Sequence, residues 1–138
     1  MMNARLAVST FVAMELAACV SQGPPEAGAS PARLILDPLV TRRNAAAGVL
    51  SIRRDATTIG EECRHRIFLD GNPVADLRPN EVVIIYVRPG QHLLRAEQTG
   101  WSCHGGNEIA ATSERGKWST FTTAAPKSNG ALLTATVE

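Results

Sequence analysis

Apolar residues come in short runs along this chain, broken by Gly, Pro, Asn and Asp about every 8 to 15 positions from residue 33 onward. That rhythm predicts strands joined by turns, because helices would place apolar residues three and four apart. The runs are residues 33–40 (RLILDPLV), 48–54 (GVLSIRR), 65–69 (HRIFL), 73–77 (PVADL), 81–88 (EVVIIYVR), 91–97 (QHLLRAE), 108–112, 117–123 and 131–137. Pro38 cannot donate to a ladder, so the first run should be an edge strand or a kinked one. Residues 82–87 are all apolar, which predicts burial on both faces or a central sandwich position. Asp70-Gly71-Asn72 predicts a hairpin, since Asp-Gly tolerates the positive φ of a tight turn. Pro89-Gly90 predicts another turn. In the last run Ala131, Leu133, Ala135 and Val137 share one face and Thr134 and Thr136 the other, the pattern of a half-buried strand. A brief helix is expected only at residues 41–47. The expected fold is all-β: a small antiparallel β-sandwich of about seven or eight strands, in one domain over residues 33–138.

The first 18 residues follow a different rule. Arg5 is the one charge among the first five residues, and residues 6–18 (LAVSTFVAMELAA) form a mostly apolar segment. Its length suits a signal peptide and is short of the roughly 18 residues needed to span a bilayer. Leu16-Ala17-Ala18-Cys19 resembles the lipobox of bacterial lipoprotein precursors. The resemblance implies cleavage after Ala18 and attachment of lipid to the Cys19 thiol. Glu15 places a charge inside the apolar segment, which weakens membrane insertion. The alternative is a buried amphipathic N-terminal helix with a chance cysteine. Val20 follows Cys19, and by analogy with lipoproteins the absence of Asp there points to the outer membrane. Residues 19–32 carry three Pro and two Gly with no apolar period and read as a flexible tether. An irregular strip packed on the domain is the alternative.

Composition removes several function classes. Lys and Arg total 14 and Asp and Glu 13, a net charge of +1. That balance leaves no basic stripe for nucleic acid. Aromatic residues are 4% of the chain, too few for a stacking platform on bases.

The chain has three cysteines, at 19, 63 and 103. If Cys19 carries lipid, one pair remains in an oxidising compartment, so Cys63 and Cys103 are expected to form a disulfide. Such a loop of about 41 residues would add roughly 4 kcal/mol in the chain-entropy model. The alternative is pairing with a partner protein. Cys63, His65, Cys103 and His104 would make a zinc-type set on paper, but their spacing matches no common structural zinc pattern, and no metal is expected. Glu61-Glu62 reads as a solvated loop, because adjacent carboxylates on a strand point to opposite faces. Gly105-Gly106-Asn107 reads as a turn, and no G-x-S-x-G motif is present. Arg53-Arg54-Asp55 reads as a local surface ion pair, and His92 as a surface residue. Trp118 alternates with Thr120 and Thr122 on a strand with one exposed side. Trp101 beside Cys103 reads first as packing against the sulfurs. Trp101 with His104 is the one candidate binding surface. No catalytic residue and no cofactor are expected.

Residues Ile67 to Gly71, then Val74 to Leu77, then Val87 to Leu94 resemble the PEGA-type domain and related lipoproteins of Gram-negative bacteria. The shared pattern is a strand, an Asp-Gly turn, a short strand, a long strand, a Pro-Gly turn and a strand opening with His and Leu. Arg54-Asp55, and cysteines bracketing the core at 63 and 103, are similar to the same group. The resemblance implies a transthyretin- or immunoglobulin-like sandwich acting as a binding or structural module of the cell envelope. The expected partners are the membrane, through Cys19, and an envelope protein or glycan. The alternative function is a periplasmic enzyme inhibitor or immunity-type lipoprotein, for which an exposed loop at residues 103–107 would speak.

Overall fold

The structure, a computed structural model, describes residues 28–136. The signal segment, Cys19, most of the tether and Val137 lie outside the described residues. Ten strands run in chain order. They are β1 (Ser30–Pro31), β2 (Leu34–Ile35), β3 (Gly48–Arg54), β4 (Arg64–Leu69), β5 (Asn72–Leu77), β6 (Glu81–Val87), β7 (Gly90–Thr99), β8 (Gly106–Ser113), β9 (Trp118–Thr123) and β10 (Leu133–Ala135). They form two five-stranded sheets, ordered β1-β6-β3-β9-β10 and β2-β5-β4-β7-β8. The all-β sandwich therefore stands. Nine strands fall on the nine apolar runs of the sequence, and the one outside them is β1, which like β2 is only two residues long.

The sheets bury the faces that alternation prescribes. From the first sheet come Leu50 and Ile52, Val83, Ile85 and Val87, and Phe121. From the second come Ile67 and Leu69, Ala75 and Leu77, Leu94 and Ala96, and Ala111. Most of these side chains are almost wholly withdrawn from water, so each aliphatic one contributes roughly 1.5–3 kcal/mol against the entropy of ordering.

Local chemistry explains the connections. Asp70 and Gly71 both take positive φ, +49° and +83°, which is the two-residue turn that matches strand twist. Pro73 sits beside a bulge, where the pairing jumps from Ile67–Ala75 to Phe68–Pro73 and the missing N–H costs no ladder bond. The freed Val74 carbonyl accepts from the Leu36 and Asp37 amides at 2.7 and 3.1 Å.

Four expectations are corrected. Pairing is mixed: β3–β9 and β1–β6 are parallel. A parallel neighbour needs a long crossover, and residues 55–117 supply it by building most of the second sheet on the way. Residues 41–47 form turns, because a sequence of Arg, Arg, Asn and exposed Ala there has no apolar stripe to bury. The run 33–40 is the edge strand its Pro38 led one to expect, and only its length is corrected: it pairs at Leu34–Ile35 alone before Pro38 turns it away. The last run does not alternate from residue 131: Leu132 and Leu133 are both buried. The Asn107 side chain captures both of their amides through Oδ1, at 2.9 and 2.8 Å, so strand geometry starts only at Leu133.

A candidate binding surface on a disulfide-clamped loop

Strands β7 and β8 are joined by residues 100–105, at the end of the sandwich where β4 begins. The disulfide Cys63–Cys103 ties that loop to the start of β4, with Cα atoms 5.7 Å apart. The loop is fixed at further points. The Cys103 amide donates to the Gly100 carbonyl at 3.3 Å, and Gln98 to the Gly105 carbonyl at 2.9 Å. Gly106 donates to the Gly130 carbonyl at 2.9 Å, tying the loop to the segment before β10. Gly100 has φ +129°, and a Cβ there would lie 3.1 Å from the Cys103 sulfur. Only glycine fits that turn without strain.

The consequence is the placement of Trp101. It is 96% exposed, the most exposed large apolar side chain among the described residues. It does not pack on the sulfurs, because the turn between Gly100 and Cys103 aims it outward. His104 is also exposed and lines a shallow polar cleft of about 460 Å³ with Arg95, Glu97, Gln98, Asn107 and Glu108. Arg95 is held there by Glu97 at 2.6 Å and lies 4.1 Å above the Phe68 ring. Loop and cleft together offer an aromatic plate beside hydrogen-bonding groups of both kinds.

Behind the loop, polar side chains close the sandwich from within. Arg54 is 1% exposed rather than on the surface. It alternates inward with Leu50 and Ile52. Its Nη1 donates to the Cys63 and Leu77 carbonyls at 2.6 and 3.0 Å, and its Nη2 to the Gly60 carbonyl at 3.0 Å. Arg53 points the other way and donates to Asn80 Oδ1. Burial lowers the Arg54 pKa, an effect that nearby Asp55, Glu62 and Glu81 oppose without cancelling. His65 is equally buried and shares a 2.8 Å hydrogen bond with the Thr123 hydroxyl across the two sheets. Burial, and then the charge of Arg54, push its pKa down to about 4, so it is neutral at pH 7.

The four residues of the zinc-type set are not brought together. Both cysteines are in the disulfide, His65 faces the interior and His104 faces solvent. Glu61 and Glu62 are exposed in the loop before β4. Trp118 is 39% exposed on β9, with Thr120 and Thr122 on the same outer face. His92 is more enclosed than a surface residue. Its Nδ1 meets Asp70 Oδ2 and its Nε2 the Arg88 carbonyl, both at 2.7 Å. The disulfide was legible in the cysteine count; the exposure of its loop was not. The inward turn of Arg54 was readable from the even spacing 50, 52, 54, had the charge not argued against it. Comparison with family models, with characterised proteins and with solved structures found no match to this chain.

Proposed function

We propose that this chain is a non-catalytic binding module of the bacterial cell envelope, anchored through lipid on Cys19 and contacting its partner through Trp101. One observation carries the contact: an almost fully exposed indole on a turn that a disulfide and three backbone bonds hold still. Single exposed apolar residues are common. A tryptophan fixed in place differs, because binding then costs little further ordering, and Trp is among the residues that dominate interface energies. The neighbouring polar cleft with His104 suits an envelope protein or a glycan, which both need hydrogen bonds at the rim. The Leu16-Ala17-Ala18-Cys19 motif supports the anchor and its outer-membrane placement. A second reading, an inhibitor or immunity-type lipoprotein, is favoured by the same clamped loop, which has the preorganisation that such proteins use to fill a partner's site.

Two experiments test the proposal. Labelling with radioactive palmitate should mark the wild-type chain and not Cys19→Ala; label that persists in the mutant removes the anchor. Crosslinking in intact cells should capture a partner, and Trp101→Ala should weaken capture about tenfold or more. Capture indifferent to Trp101 and to His104 would overturn the loop as the contact. Loss of activity of a captured enzyme would select the inhibitor reading.

A further inference from the structure

A second concave site lies beside β2 and the starts of β4 and β6. It is a cavity of about 240 Å³ lined by Arg33, Leu34, Arg64, Asp76, Arg78 and Glu81. Its carboxylates are already engaged. Asp76, 3% exposed, takes both a 2.8 Å and a 3.0 Å bond from Arg66 in a two-pronged pair. Glu81, 4% exposed, accepts the Arg33 amide on one oxygen at 3.2 Å and the Arg78 amide on the other at 3.1 Å. The side chains of Arg33, Arg64 and Arg78 have no ion pair among the described residues. With Arg66 included, four guanidiniums therefore face two carboxylates, a local excess of two positive charges in a chain of net charge +1.

Three arginines from three separate segments line one cavity, and their charges would repel each other there without a counter-charge. The buried carboxylates do not supply it in full. Glu81 anchors the backbone of the very loops that carry Arg33 and Arg78, which fixes where those side chains begin. The volume is below the 300–1,000 Å³ usual for drug-sized ligands. It suits a compact oxyanion, and guanidinium forks match the oxygens of phosphate geometrically. We propose that Arg33, Arg64 and Arg78 bind a phosphate group. That group could belong to free phosphate or to a lipid headgroup. The chain enters the fold beside this site, where Gly28 accepts from the Asn80 side chain at 2.8 Å.

The test is calorimetric titration of the full chain, at low ionic strength, with inorganic phosphate and with the soluble headgroup glycerophosphoglycerol. Saturable binding of either supports the site, and the tighter of the two identifies the source. Replacing Arg33, Arg64 and Arg78 together by Gln should weaken binding by about tenfold or more. The carboxylate floor holds backbone amides, so these substitutions leave its bonds in place; an unchanged urea midpoint checks that the triple variant folds. Lys127→Gln, an exposed cation elsewhere, should bind as the wild type does. The proposal is overturned if neither probe binds, if the triple variant binds as tightly as the wild type, or if Lys127→Gln loses as much.

Discussion

Arg54 is held at one end of the sandwich by three carbonyls, with no carboxylate at ion-pair distance among the described residues. Those carbonyls belong to Gly60, Cys63 and Leu77, so one side chain ties the loop after β3 to two strands of the opposite sheet. Arg54→Ala would leave them unpaired in a dry site. The expected loss is about 3 kcal/mol or more, read from the urea midpoint. The two enclosed histidines titrate in opposite directions. His65 is neutral when folded, with a pKa of about 4 against roughly 6.5 unfolded. The unfolded chain therefore binds the extra proton between those values, and stability falls as pH drops through them, by about 3 kcal/mol in all. For His92, burial opposes the charge, but the bonds to Asp70 and the Arg88 carbonyl outweigh it and raise the pKa. That contribution is complete below about pH 6.5 and is lost as pH rises through the folded value. Urea midpoints measured against pH should thus fall on both sides. His92→Gln should flatten the alkaline side and also ease part of the acid side, because the His92 bond, against the effect of burial, holds the Asp70 carboxyl below its ordinary range; His65→Gln should flatten the acid side alone. A profile unchanged by either variant would contradict these assignments.

At the scale of elements, the packing of β3 against the end of β8 depends on a missing side chain. A Cβ on Gly48 would meet the Ser113 hydroxyl and come within 2.7 and 2.9 Å of the Glu114 carbonyl and amide. The hydroxyl could swing away, though it now donates to the Val87 carbonyl, but the backbone cannot. Gly48→Ala should therefore destabilise the fold by about 1–3 kcal/mol, although alanine is the better-behaved residue in an ordinary strand. Thermal unfolding of the single variant checks this, and a raised midpoint would contradict it. Strand existence was largely legible: the boundaries of 48–54 and the Asp-Gly hairpin were read from alternation and turn chemistry alone. β1 was not, because a two-residue pairing at a sheet edge leaves no period to detect. The split of the final run at Leu132 and Leu133 was equally invisible, since it depends on Asn107 from another sheet.

At the scale of the whole molecule, a disulfide ties two segments of the second sheet and polar side chains join the two sheets. The disulfide spans 40 residues, His65 meets Thr123 across the sheets, and Asn107 bridges β8 to β10. Reducing Cys63–Cys103, or replacing both cysteines by serine, should cost about 4 kcal/mol. The loss should be measurable as a lower thermal midpoint, with greater proteolysis at residues 100–105 than elsewhere. A midpoint insensitive to reductant would show the hydrogen bonds alone hold the loop.

The sequence by itself determined the class of fold and the pairing of its cysteines. Period-two alternation, Gly and Pro punctuation and the even pair that remains if Cys19 carries lipid are local or countable signals. It also carried the lipobox resemblance on which the proposed anchor rests. Tertiary structure decided the rest. The parallel alignment of β3 with β9 needs the long crossover of residues 55–117, which adds β6 to the same sheet and four strands to the other. The burial of Arg54 needs three carbonyls from distant segments, and no local pattern reveals them. The outward turn of Trp101 follows from glycine geometry around the disulfide. The cluster of Arg33, Arg64 and Arg78 is the plainest case. Their positions in the chain are unrelated, and only the pairing of β2 with β5 and of β5 with β4 brings their charges to one cavity.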